Sequence, residues 1–214
     1  MRNVIFTGCA GNKEIRIIGL ADGPDLLLLN IVLKTLTCLI DCTSIKKLPA
    51  GLPHHCDLQI RGCTSIRELP LDLTQCTGMV TDWGYSGLES LPDGFVCKSW
   101  NLKLNGCKNL RRLPGNMIVG GNLDLSYSGI EELPDGFTVS GSLNLKGCKK
   151  LTRLPANLFV DGNLLLDNED IEELPPGLKV SGKLDISWCT KIKSLPGDLV
   201  AGDEIITDRT LDSL

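Results

Sequence analysis

Residues 130–155 read IEELPDGFTVSGSLNLKGCKKLTRLP. One phrase occurs in them twice: Ile130-x-x-Leu-Pro, ending at Pro134, and Leu151-x-x-Leu-Pro, ending at Pro155. The intervening pair changes from Glu131-Glu132 to Thr152-Arg153, so the chain repeats itself and reverses its charge. The same ending recurs at Pro49, Pro70, Pro92, Pro114, Pro134, Pro155, Pro175 and Pro196, in steps of 21, 22, 22, 20, 21, 20 and 21 residues. Leu52-Pro53 is a further pair, out of register. Self-similarity at such a period is the mark of a stacked-repeat architecture. Aligned, the units share Pro-x-x-Leu-x-Val-x-Gly-x-Leu-x-Leu, a polar turn, then Leu/Ile-x-x-Leu-Pro.

Each unit carries two signals. Val119, Gly121, Leu123 and Leu125 alternate with period two, which predicts one short strand with a buried face. Ile130 and Leu133 then point inward from a bend. Pro134 has no N–H for a ladder, so the return segment is expected to be extended or polyproline-like. No unit leaves room for an ordinary helix. A single coil buries almost nothing, whereas stacked coils merge their Leu columns into one core. The composition agrees: 42% of residues are apolar but only 4% aromatic, which implies a thin aliphatic core.

The pattern L-x-L-x-x-x-x-I-x-x-L-P over residues 37–214 resembles the leucine-rich repeat in its short form of 20–22 residues. It is most similar to the repeats of bacterial type III effectors, which share the L-x-x-L-P ending. The units LKLNGCKNLRRLP (102–114) and LNLKGCKKLTRLP (143–155) also resemble repeats of plant immune receptors. The resemblance implies a curved solenoid, mainly parallel β, with an irregular convex side and little helix. The family pattern has Asn or Cys three residues past the second strand Leu. Cys107 and Cys148 fit, and Ser128 departs from it, which predicts an interrupted side-chain ladder there. Residues 1–36 fit the repeat poorly and read as an N-terminal cap or degenerate repeats. About eight repeats and an incomplete last one follow. The final IITDRTLDSL (205–214) stops where Leu-Pro would complete it, and the expectation is a chain trimmed from something longer.

The units alternate in kind. One kind has Cys and an extra residue (Cys42, Cys63, Cys107, Cys148, Cys189); the other has YSGL at 85–88, YSGI at 127–130 and NEDI at 168–171. Charge follows the alternation. Before Leu-Pro the Cys units carry Lys46-Lys47, Arg67-Glu68, Arg111-Arg112, Thr152-Arg153 and Lys193-Ser194; the others carry Glu89-Ser90, Glu131-Glu132 and Glu172-Glu173. Coils stack at about 4.8 Å, so Arg112, Glu132 and Arg153 are expected in file as a ladder of ion pairs.

Cys107, Cys148 and Cys189 fall two coils apart, about 10 Å, beyond the roughly 7 Å a disulfide tolerates between Cα atoms. They read as small buried hydrophobes; Cys42 and Cys63, on adjacent coils, are close enough to pair. Buried thiols suit a reducing compartment. His54-His55-Cys56 with Cys63 is the only metal-like cluster and reads as a degenerate early coil, so no metal or cofactor is expected. GLKVSGKL (177–184) nearly matches a phosphate-binding loop but ends in Leu184 where a hydroxyl is needed. No nucleophile or acid/base motif appears, and the Glu pairs recur in register with basic neighbours, so the chain reads as non-catalytic.

Recognition of another protein remains. Repeat arrays bind on extended concave faces. The exposed column between the strand leucines runs Gln59, Asp82, Lys103, Asp124, Asn144, Leu165, Asp185; the next runs Arg61, Gly84, Asn105, Ser126, Lys146, Asp167, Ser187. A third, Gly62, Tyr85, Gly106, Tyr127, Gly147, Asn168, Trp188, alternates large and Gly. It reads either as shallow pockets between aromatic anchors or as rings lying flat over glycine. The partner-binding candidates are therefore Lys103, Asp124, Asn144, Leu165, Asp185, Lys146, Asp167, Tyr85, Tyr127 and Trp188. A net charge of −4 gives no reason to expect nucleic acid. The longest apolar stretch, Leu26–Leu29 then Ile31–Leu33, is too short to span a bilayer, and no Sec-type signal is visible. A monomer is expected unless the open C-terminal end self-associates. By resemblance, the chain would be the targeting part of a bacterial effector, cytosolic or secreted by a non-Sec route into a host cell. The alternatives are the substrate-recognition half of a ubiquitin ligase-type effector and the sensing array of an immune receptor.

Overall fold

The computed structural model describes residues 39–208, apart from 42, 44, 49, 51, 53–57 and 77–79, together with 212 and 213. The expected cap over 1–36 lies outside the described residues, as do Cys42 and the cluster His54, His55 and Cys56. The chain winds into a parallel β-solenoid, with no helix among the described residues. Its strands, two or three residues each, are β1 (Gln75–Cys76), β2 (Val80–Asp82), β3 (Val96–Cys97), β4 (Asn101–Lys103), β5 (Ile118–Val119) and β6 (Asn122–Asp124). Then come β7 (Thr138–Val139), β8 (Leu143–Asn144), β9 (Phe159–Val160), β10 (Leu164–Leu165) and β11 (Lys179–Val180). The last are β12 (Leu184–Asp185), β13 (Ser194–Leu195), β14 (Val200–Ala201), β15 (Ile205–Ile206) and β16 (Asp212–Ser213).

They form two seven-stranded parallel sheets, ordered β1-β3-β5-β7-β9-β11-β14 and β15-β12-β10-β8-β6-β4-β2, with β13 and β16 paired on the return side. The predicted single strand per coil is thus two strands in two sheets. Val119 belongs to the first sheet and Leu123 to the second, and the chain turns a corner between them at Gly120–Gly121. The reason lies at Gly121. A Cβ there would sit 2.4 Å from the Trp100 carbonyl oxygen and 2.7 Å from that of Ser99, both on the preceding coil. At this position only glycine lets the coil stack on that backbone. Asparagines tie the corner: Asn122 Nδ2 donates to Asn101 Oδ1 (2.8 Å), and Asn122 Oδ1 accepts from the Ser142 N–H (2.7 Å). Asn163 Oδ1 likewise accepts from the Lys183 N–H at 2.8 Å.

Inside, the columns meet as predicted. In one coil Met117, Val119, Leu123, Leu125, Ile130 and Leu133 are all buried. At about 1.5–3 kcal/mol per buried side chain, this burial outweighs any surface contact. Trp83 takes the second strand-leucine position and is fully buried, with Thr81 in the position of the first.

The charge ladder is half built as expected. Arg112 Nε lies 2.9 Å from Glu132 Oε1, Arg111 3.4 Å from Glu131, and Arg67 3.1 Å from Glu89. Arg153 does not complete the file: among the described residues no ion pair joins it to Glu132 or Glu173. Thr152 stands where Glu131 would meet a base, and Lys150 reaches back from the longer turn of the Cys coil instead (3.4 Å). Lys191 does the same to Asp170 at 2.9 Å. Exposed pairs contribute roughly 0.2–1 kcal/mol each. Exchanging Glu131 and Glu132 for Lys removes three pairs and sets like charges together. The expected loss is about 1–2 kcal/mol in low salt, shrinking in 1 M salt, where the screening length is about 3 Å. Urea midpoints at both salt concentrations measure it, and an unchanged midpoint at low salt would show the ladder to be inert.

Candidate functional site

The outer face of the second sheet is a regular surface of seven paired strands. Backbone register places Asp82, Lys103, Asp124, Asn144, Leu165 and Asp185 opposite one another on successive strands. The expected column is therefore assembled, and its members are half-buried rather than fully exposed. Most of them are committed to the backbone. Asp82, Asp124, Asn144 and Asp185 each accept, through Oδ1, the N–H two residues on, at 3.0–3.2 Å: Gly84, Ser126, Lys146 and Ser187. This is the Asx turn that lets the chain leave the strand. Lys103 and Leu165 are the members whose side chains cannot serve that turn.

In the second column Lys146 Nζ binds Asp185 Oδ2 at 2.8 Å, spanning the coil that carries Leu165. Burial alone would raise the Asp185 carboxyl, but the hydrogen bonds from Lys146 and Ser187 outweigh it and hold the group below its ordinary value. Asp167 accepts from the Gly147 N–H. The candidate charges are thus largely satisfied within the face.

In the third column the tyrosine rings lie over the glycines of the next coils. Tyr85 and Tyr127 adopt left-handed backbone, with φ of 55° and 56°, and Gly106 and Gly147 do so on the next coils at 70° and 71°. A Cβ on Gly106 would lie 2.5 Å from Tyr85 Cδ1, and one on Gly147 2.3 Å from Tyr127 Cδ1. The rings lie on the glycines and fill the space where pockets were expected. The tyrosines remain 48% and 54% exposed, and a cation stands over each ring: Arg61 Cζ is 5.0 Å from the Tyr85 ring centroid and Lys108 Nζ 6.0 Å from that of Tyr127. Asn168 turns inward and donates to the carbonyls of Cys148 and Leu151. Trp188 is 63% exposed. Sequence reasoning missed Trp100, the most exposed aromatic among the described residues, which stands just before β4 at the corner.

Ser128, where the side-chain ladder was expected to break, still joins the next coil. Ser86 and Ser128 are buried, their hydroxyls 3.4 and 3.6 Å from the thiols of Cys107 and Cys148. Those thiols donate to the carbonyls of Trp83 (3.2 Å) and Leu125 (3.1 Å). Burial pushes both thiols up from their ordinary value, which makes them poor nucleophiles. GLKVSGKL is a sheet corner: Lys179–Val180 is β11, and Lys183 pairs with Glu204 at 3.2 Å. Among the described residues no group of three or more His, Cys, Asp or Glu is placed to hold a metal ion, and no helix is long and apolar enough to cross a membrane.

Family models, curated proteins and solved structures give no significant match to this chain.

Proposed function

We propose that this protein is a non-catalytic recognition module that binds another protein on the outer face of its second sheet. In this reading the solenoid is a short-form leucine-rich repeat array. It curves so that the second sheet lines the concave side, and its return segments are polyproline-like. The observation that carries the proposal is the pairing of uncommitted side chains with half-open aromatic rings. Lys103 and Leu165 project from a column otherwise tied to the backbone, and Tyr85, Tyr127 and Trp188 flank it with 48–63% of their surface open. Large aromatics at the edge of a flat, ordered surface are the usual anchors of protein interfaces. The resemblance of the L-x-x-L-P units to bacterial effectors supports a eukaryotic host protein as the partner, with the chain serving as the targeting part.

The test uses the full chain expressed in eukaryotic cells, with a photo-crosslinking residue at Leu165 or, on the first sheet, at Thr138. A discrete adduct is expected from position 165 alone. The purified partner should bind Tyr127→Ala and Trp188→Ala about 30-fold more weakly per substitution, the size of a hot-spot loss. Trp188→Ala should leave the melting temperature unchanged, and Tyr127→Ala should lower it only by the lost contact of the ring with Gly147. Equal crosslinking from both sheets, or weakened binding that tracks a lowered melting temperature, would sink the reading.

A further inference from the structure

Register pairing runs one inward column through the first sheet: Cys76, Cys97, Val119, Val139, Val160, Val180, Ala201. Four coils meet the packing demand of this position with valine, so cysteine is not needed for packing. The two cysteines stand on consecutive coils, directly opposite each other across β1 and β3. Among the described cysteines, those of the turn ladder alternate with non-cysteine coils, and no other two share a column on consecutive coils. The Cys76 and Cys97 sulfurs are 3.2 Å apart and both thiols are buried. Parallel strands hold opposed Cα atoms about 4.8 Å apart, within the roughly 4.4–6.8 Å that a disulfide accepts.

The surroundings are polar where the rest of the column is apolar. Ser99 Oγ donates to Cys76 Sγ at 3.6 Å and shares a 2.8 Å hydrogen bond with Thr81 Oγ1; Ser99 and Thr81 are fully buried. Two thiols and two hydroxyls thus form a closed cluster inside an aliphatic core.

We propose that Cys76 and Cys97 are a redox modification site, closing to a disulfide that staples two consecutive coils when a peroxide reaches them. The Ser99 hydroxyl donates to the Cys76 sulfur at 3.6 Å, which favours the thiolate there. The contact with Cys97 also holds the Cys76 thiol below its ordinary value, and the same contact together with burial pushes Cys97 up. Cys76 is accordingly assigned as the attacking sulfur. Its thiolate displaces hydroxide from the peroxide, breaking the O–O bond and forming a sulfenic acid; the hydroxide takes up the proton Cys76 released. The Cys97 sulfur then attacks the Cys76 sulfur and the S–O bond breaks. Water leaves with the Cys97 proton. Two thiols are oxidised by two electrons and one peroxide is reduced to two waters. A thiol reductant reverses the closure. Access requires a local opening of the first sheet, a motion that stacked coils permit without global unfolding.

The experiment treats the reduced full chain, folded, with hydrogen peroxide and maps its peptides without reduction. The expected product is a Cys76–Cys97 linked peptide, with intact mass lower by two hydrogens. The oxidised protein should melt about 5 °C higher, and dithiothreitol should reverse this. The Cys76→Val/Cys97→Val double variant restores the residue of the other coils and should show no such shift. If that variant fails to fold, Cys97→Ser serves, and it should accumulate a sulfenic acid at Cys76 trapped by dimedone. Linkage that appears only in urea, or oxidation that spares both residues or halts at separate acids in the unaltered chain, would overturn the proposal.

Discussion

Alanine at Gly121 is expected to destabilise the protein by about 2–3 kcal/mol, the cost of forcing a group into a packed site. Alanine at Gly115, six residues away in the same coil, is expected to be neutral or to stabilise by up to about 1 kcal/mol. Gly121 is the repeated glycine of the unit, whereas Gly115 directly follows Pro114 at a position the repeat leaves open. At Gly115 an added methyl meets nothing within 4 Å, so the substitution acts mainly by restricting the unfolded chain. At Gly121 the methyl lands 2.4 Å from the Trp100 carbonyl oxygen, on a backbone that cannot swing aside as a side chain would. That carbonyl also accepts the Asn122 N–H at 2.7 Å, so relieving the clash stretches the bond that starts β6. Urea unfolding of both variants measures the contrast. Equal midpoints would mean that the coils do not stack tightly at the corner and that the two-sheet architecture is wrong there.

That corner also marks where the sequence stops being readable. The leucine columns are legible because stacking imposes a period, and a period survives in one dimension: Leu102, Leu123, Leu143, Leu164 and Leu184 recur every 20 or 21 residues and do pair in register. Gly121 falls on the same alternation as Val119 and Leu123, so a period-two reading absorbs it into one strand. Nothing local distinguishes a glycine that packs under a strand from one that turns a corner; the distinction is the distance to the preceding coil. The outward columns of the second sheet were legible as geometry and less so as chemistry. Asp124 and Asn144 occupy the predicted places, yet their side chains cap the backbone two residues on, and a surface carboxylate that serves a turn reads the same as one that awaits a partner. Cys76 and Cys97 lie outside the turn column whose spacing sets the other described cysteines apart. The available signal was their place in the valine column, which requires aligning the first half of each unit as closely as the second.

Trp83→Ala is expected to cost about 3–5 kcal/mol, the usual range for truncating a buried aromatic. The ring is fully buried, lies 5.4 Å from that of Phe95, and donates Nε1–H to the Leu58 carbonyl at 2.8 Å. Truncation opens a cavity and leaves that carbonyl without its donor. Trp83→Leu restores the residue found at the same register in Leu104 and Leu125, and it should recover part of the loss but not the hydrogen bond. The chain has three tryptophans, and Trp100 and Trp188 are 73% and 63% exposed. Blue-shifted emission in the native protein therefore reports Trp83, and its removal should leave only the red-shifted component of solvated indoles. Since a coil touches chiefly its neighbours, the damage should also be local. Hydrogen exchange is expected to quicken first at the amides of Trp83, Tyr85 and Ile60, while Leu145 and Leu166, several coils away, keep their protection longer. Uniform loss of protection across all these amides would mean that the solenoid unfolds as one unit, and that a single tryptophan supports the whole stack rather than its own section of it.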